Sequence, residues 1–205
     1  MRPLVLIPSY NTGADLLCNT VNAALQHSEH VWVIIDGSTD GSGEALEESM
    51  SDQPKLRIVK CSPNKGKGSA VLHGTQLASQ AGFTHVLTMD ADGQHPAERI
   101  PQFLKLAAAH PEALLLGCPQ FGPEAPQLRV QGRKVSNAWS NLETLNWGIG
   151  DSLFGMRVYP VKALLRAFRS TWFARRFDFD TEIAVRIAWQ GVPILNVPTP
   201  VKYLS

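Results

Sequence analysis

The chain has 205 residues, 19 Lys and Arg against 18 Asp and Glu, a formal net charge of +1 and a hydrophobic fraction of 44%. This is ordinary globular composition, which excludes a disordered or fibrous chain and argues against a general nucleic-acid coat. No apolar run nears the roughly 20 residues of a spanning helix, and the N-terminus lacks the basic and apolar regions of a signal peptide, so a cytoplasmic protein is expected.

Short apolar strands alternate with helical stretches from the start. "LVLIP" precedes a helix around Ala14 to Gln26, and "VWVII" one around Ser42 to Met50. "LRIVK" precedes a helix from about Gly68 to Gln80, "HVLTM" precedes one from Pro96 to Ala109, and "ALLLG" follows. Strands apolar throughout and separated by helices predict an α/β fold whose mostly parallel sheet is covered by helices on both faces.

After Cys118 the pattern changes. A proline-rich loop, "PQFGPEAPQ", leads to a helix from about Gly132 to Trp147, a strand-like "LFGMRVYP", and helices near Val161 to Phe168 and Phe179 to Trp189. The absence of a repeat or low-complexity linker predicts one domain with two functional halves, 1–118 and 119–205. Residues 1–128 carry eight Lys and Arg against thirteen Asp and Glu, and the remainder eleven against five. The basic second part suits an anionic partner such as a phosphorylated acceptor or a lipid headgroup. Cys18, Cys61 and Cys118 have no metal-type spacing and read as free thiols.

Open α/β sheets bind ligands at the C-terminal ends of their strands, and four such ends carry polar or glycine-rich loops. They are "IPSYN" (Ile7 to Asn11), "DGSTDGS" (Asp36 to Ser42), "NKGKGSA" (Asn64 to Ala70) and "DADGQH" (Asp90 to His95). "DGSTDGS" also suits a plain turn and helix start. "NKGKGSA" lacks Walker spacing, but its glycines admit a phosphate close to the backbone, with Lys65 or Lys67 to neutralise it. In an extended segment residues i and i+2 point the same way, so Asp90 and Asp92 converge and repel unless a cation lies between them. With the amide of Gln94 they suit Mg²⁺ or Mn²⁺ bridging substrate phosphates. An Asx-turn that starts the next helix is the competing reading. His95 is open between ligand, neighbouring donor and helix-start residue.

In this order and spacing the four loops resemble family 2 glycosyltransferases of the GT-A fold, in the dolichol-phosphate mannose synthase-like branch. "GDSLFGMRVYP" and "FDFDTEIAVRIAWQG" are similar to later segments of that branch. The resemblance implies that Pro8, Tyr10 and Asn11 flank a nucleotide and Asp36 contacts its base or ribose. It implies a metal held by Asp90, Asp92 and Gln94, Arg133 near the sugar diphosphate, and Asp151 on the acceptor side. The donor implied is a UDP- or GDP-sugar and the acceptor a polyprenyl phosphate or other lipid, with peripheral contact at the inner face of the cytoplasmic membrane.

Several positions depart from the branch. Thr12 stands where a Glu is common, Ile35 precedes Asp36 where two adjacent acids are common, and Gly117, Cys118 and Pro119 replace a Gly-Ser-Arg, leaving Arg129, Lys134 or Arg157 to supply the cation. A hydroxyl acceptor requires a carboxylate base. Asp180 and Glu182 are the candidates if Asp180 caps the helix and Glu182 turns inward; capping or helix-dipole roles for both are the alternative. Trp172 and Phe173, among Arg169, Arg175 and Arg176, have the composition of a membrane interface. A nucleotidyltransferase and a non-catalytic nucleotide-sugar-binding protein are the competing functions.

Overall fold

The computed structural model describes residues 1–121, 127–145, 148–170 and 179–201, with backbone alone at 127–131, 134 and 135. Its centre is a seven-stranded sheet of β1 (Pro3–Ser9), β2 (Val31–Asp36), β3 (Leu56–Cys61), β4 (His85–Thr88), β5 (Leu114–Gln120), β6 (Arg157–Pro160) and β7 (Ile194–Pro200). The order across the sheet is β3-β2-β1-β4-β6-β5-β7. The pairs β1–β2, β2–β3, β1–β4 and β5–β7 are parallel, and β6 runs antiparallel to both β4 and β5. The expected mostly parallel sheet is therefore present.

Between the strands lie α1 (Ala14–Leu25), α2 (Ser42–Met50), α3 (Lys67–Gln80), α4 (Ile100–Ala109), α5 (Gln127–Thr144), α6 (Val161–Arg169) and α7 (Phe179–Ala188). Every residue of β2 and of β4 is buried, because helices cover both sides of the sheet. Leu4, Leu6 and Ile34 pack with α3, α6 and α7 on one face. On the other, Val5, Ile7 and Val33 pack with α1, α2 and α4. Alternate side chains of one strand thus supply the two cores.

Three boundaries differ from the sequence expectation. The helix placed at Gly132–Trp147 begins at Gln127, since nothing in "QLRVQ" breaks it. The strand placed over Leu153–Pro160 is regular only from Arg157, where it first meets Leu116 and Thr88. Pro96 opens a 3₁₀ turn over Ala97–Arg99, and α4 itself starts at Ile100.

The topology decides where a site can form. From β1 the chain winds outward through β2 to β3, then returns past β1 to β4. β1 and β4 lie side by side at this reversal, α1 and α2 packing on one face of the sheet and α3 on the other, and a crevice opens at the strand ends. The end of β1 and the loop after it hold Pro8–Thr12, and the loop after β4 holds Asp90–His95. Because β6 is antiparallel, with Thr88 opposite Arg157, the segment entering it, Asp151–Met156, lies at this same edge.

Candidate functional site

A cleft of about 690 Å³ lies at that edge, walled by Pro8 in β1, Tyr10 and Thr12 after it, Asp36 at the end of β2, Lys67 at the start of α3, Asp90 and Asp92 after β4, and Asp180 on α7. A smaller cavity of about 150 Å³ adjoins it. Asp90, Asp92, Gln94 and Arg133 line this second space, with Phe121 and Phe154.

The two share Asp90, Asp92 and Leu153, and Asp90 sits in a close cluster of charges. Lys67 Nζ lies 2.6 Å from Asp90 Oδ1 and 2.6 Å from Asp180 Oδ2. Burial opposes the ammonium, but the charges of Asp180 and Asp90 outweigh it and hold Lys67 above the ordinary lysine range. Burial likewise pushes the Asp90 carboxyl up; Lys67, then His95, more than reverse this and lower it to about 2. His95 is buried, and burial lowers its basicity. It accepts the Asp90 backbone N–H on Nδ1 at 3.0 Å, and its Nε2 lies 3.8 Å from Asp90 Oδ2. It braces the loop as an acceptor beside Asp90 and not as the donor expected.

The opposite wall is made by the segment entering β6. A Cβ on Gly155 would stand 2.3 Å from Asp90 Oδ2, so only a glycine lets this backbone approach the carboxylate. Thr88 Oγ1 holds it there by donating to the Gly155 carbonyl at 2.8 Å. Asp151 ties down the start of the segment: Oδ1 accepts the N–H groups of Leu153 and Phe154 at 2.9 and 2.7 Å. The same oxygen receives Arg133 Nη1 at 2.7 Å. Asp151 is 3% exposed, so it acts by aiming Arg133 into the smaller cavity, with the Phe121 ring 5.6 Å from the guanidinium.

The structure brings most of the expected residues together, in altered roles. Pro8 and Tyr10 line the cleft, whereas the Asn11 side chain accepts the Thr39 N–H at 2.8 Å and braces the neighbouring loop. Asp36 lines the wall, but its carboxylate accepts the Lys65 N–H at 3.1 Å and the Gly66 N–H at 2.7 Å, fixing the glycine-rich loop. Gly37 (φ +71°) permits this approach, since a Cβ there would meet Asn64 N at 2.5 Å. In "DGSTDGS" the turn reading holds for Asp40, whose Oδ1 accepts the Ser42 N–H and hydroxyl. Of the two lysines, Lys67 enters the site; Lys65 is exposed on an adjoining groove.

Two expectations are corrected. Arg157 is fully buried, donating to the Phe154 carbonyl at 2.7 Å and to the Asp180 carbonyl; it holds the two walls together and cannot meet an external phosphate. Asp180 lies within the first turn of α7 and faces Lys67. Glu182, which was to turn inward, pairs with Arg186 Nε at 2.6 Å. Arg129 and Lys134 have no described side chains, and Trp172, Phe173, Arg175 and Arg176 lie outside the described residues. Sequence reasoning missed Gly155 and Leu153 as site residues; the glycine in "LFGMR" was the available signal.

The oxygen donors fit a hard cation. Asp92 is exposed, its Oδ1 accepting the Gln94 N–H at 3.0 Å, and Asp90, Asp92 and Gln94 line one cavity. Among the described residues no group of three or more His, Cys, Asp or Glu is arranged to hold a metal. Two carboxylates and an amide suit an ion shared with phosphate oxygens.

A family model described as Glycosyl transferase family 2 matches residues 4–170. A polyprenol monophosphomannose synthase of Mycolicibacterium smegmatis is 28% identical over 205 residues, covering 96% of this chain and 76% of that one. An undecaprenyl-phosphate mannosyltransferase of Micrococcus luteus is 26% identical over 214 residues, covering 97% and 82%. Among solved structures, a mannosyltransferase from Pyrobaculum calidifontis in complex with GDP-Man and Mn²⁺ superposes with a TM-score of 0.69 at 19% identity, covering 98% of this chain and 56% of that one.

Proposed function

The chain belongs to glycosyl transferase family 2, with the GT-A fold, and on that premise we propose that it transfers a sugar from a nucleotide-diphospho-sugar to a polyprenyl phosphate. The observation that carries the reading is the meeting of Asp90 and Asp92 with Arg133 and Lys67 at the sheet's reversal point. Oxygen donors flanked by fixed cations, Arg133 in the smaller cavity and Lys67 in the adjoining cleft, match the needs of a diphosphate leaving group. The names of the two bacterial relatives supply the acceptor class.

In this reading residues 1–118 bind the donor and 119–205 the acceptor. The base and ribose lie against Pro8 and Tyr10 in the larger cleft, and the diphosphate points to Asp92. A Mg²⁺ or Mn²⁺ ion held by Asp90, Asp92 and the Gln94 amide oxygen would neutralise charge on the diphosphate as its bond to the sugar breaks. Arg133, aimed by Asp151, meets the sugar diphosphate or the acceptor phosphate. Lys67 keeps Asp90 ionised and ties α7 to the donor loops.

An acceptor phosphate oxygen forms the new bond to the anomeric carbon. The carbon–oxygen bond to the nucleoside diphosphate breaks, and its electron pair leaves with the diphosphate. Attack from the opposite face inverts the configuration. The acceptor is already an anion, so no side chain has to remove a proton, which agrees with Asp180 being held by Lys67 and Glu182 by Arg186. The test is incubation with GDP- and UDP-sugars, Mg²⁺ or Mn²⁺, and a short-chain prenyl phosphate. A prenyl-phosphate sugar of inverted configuration is expected; donor binding with no transfer to any prenyl phosphate would refute the acceptor.

A further inference from the structure

The helices that bring Arg133 and Asp180 to the site continue away from it, and their far ends present apolar surface. On α5, Trp139 and Leu142 are each 61% exposed, and Leu145, just past the helix, is 90% exposed. At about 100° per residue these three share roughly a third of the circumference, while Asn137 and Asn141 turn the other way to bond the carbonyls of Gly150 and Ile149. Trp189, at the end of α7, is 60% exposed, and its indole N–H donates to the Glu143 carbonyl at 3.1 Å. That bond joins the two helix ends, and the Trp139 indole N–H donates to the carboxylate of the same Glu143 at 2.8 Å, so both exposed tryptophans are anchored on one residue.

The neighbouring helix carries charge of one sign. α6 buries Val161, Leu164 and Phe168 and exposes Lys162, Arg166 and Arg169, spaced i, i+4, i+7, with no acidic residue in its sequence. Arg186 links the two surfaces: Nη1 donates to the Ser170 carbonyl at the end of α6 at 2.5 Å, and the guanidinium lies 5.8 Å from the Trp189 ring centroid.

We infer that this face, aromatic at the ends of α5 and α7 and basic along α6, docks on an anionic phospholipid surface. The combination selects the occupant. Tryptophan and leucine enter the boundary between headgroups and acyl chains, and lysine and arginine beside them attract lipid phosphates. A two-fold contact with a second copy would apply the same patch to both subunits and bring like charges together at its rim. Along α5, Leu145 is roughly 18 Å from Arg133, a span that a polyprenyl tail can cover from the site to the bilayer. The purpose of the docking rests on the acceptor proposed above; the docking itself needs no acceptor.

The test is sedimentation of the purified chain with phosphatidylglycerol–phosphatidylcholine vesicles and with phosphatidylcholine alone, without prenyl phosphate. Transfer to a short-chain, water-soluble prenyl phosphate is measured separately without vesicles. Binding to the anionic vesicles is expected, weakened about tenfold or more by R166E/R169E, by W139S/W189S and by high salt. Both variants should keep transfer within about twofold. The inference is overturned if the wild type ignores anionic vesicles, or if either variant binds them like the wild type. It is also overturned by a dimer in solution that W139S/W189S dissolves, which would assign the face to a second copy. Variant-sensitive vesicle binding without transfer would support the surface and reject the acceptor.

Discussion

Lys67 and Asp180, 113 residues apart in the chain, meet with Nζ 2.6 Å from Oδ2, and the same ammonium lies 2.6 Å from Asp90 Oδ1. One cation therefore joins the loop after β4 to the first turn of α7, and with them the proposed donor and acceptor halves.

Replacing Lys67 by methionine leaves the buried Asp180 and the partly buried Asp90 carboxylates without their shared cation. Removing one partner of such a pair costs about 3 kcal/mol, so a lower midpoint in urea denaturation is expected. Calorimetric titration should also show weaker donor binding, because Asp90 is no longer kept ionised and in place.

Acid should destabilise the fold in a defined window. The Asp90 carboxyl is lowered from 3.8 to about 2 by Lys67 and His95 against the effect of burial. A depressed carboxyl contributes stability above its unfolded value and loses it as the pH falls through the folded one. A loss on the order of 2 kcal/mol between roughly pH 4 and pH 2 is expected, measured as the pH dependence of urea stability. Asp90→Asn should flatten that slope.

Gly155→Ala separates stability from binding. The added Cβ would meet the end of the Asp90 side chain at 2.3 Å, and a side-chain terminus can move aside. The melting temperature should shift by a few degrees at most, while Asp90 is driven from its position. A tenfold or greater loss of metal-dependent donor affinity is expected by calorimetry; unchanged affinity would mean that the carboxylate has no such role.

Asp151→Asn keeps an oxygen for the Leu153 and Phe154 N–H groups and removes the charge that holds Arg133. Charge-assisted pairs are roughly twice as strong as neutral ones. We expect kcat/KM to fall about 10- to 100-fold with the fold intact by circular dichroism, as loss of aim at one guanidinium implies. An equal loss of thermal stability and activity would instead make Asp151 purely a loop anchor.

Much of this was legible in the linear chain. "LVLIP", "VWVII" and "HVLTM" are mostly apolar without alternation, as a sheet buried on both faces requires, whereas "LRIVK" carries two cations and forms the partly exposed edge strand β3. The parallel topology then brings the polar loops after them to one edge, so Pro8, Asp36, Lys67, Asp90 and Asp92 were placed as neighbours without coordinates. What the tertiary structure alone decided is which groups are aimed and which are used up. Asp180 and Glu182 are two residues apart, but on a helix this turns them about 200° from each other, and packing of α7 chose the face that meets Lys67. The antiparallel insertion of β6 set Gly155 against Asp90 and buried Arg157 between the walls. Local sequence records propensity and periodicity; helix phase and strand direction come from burying the two cores together, and those long-range contacts assembled the site.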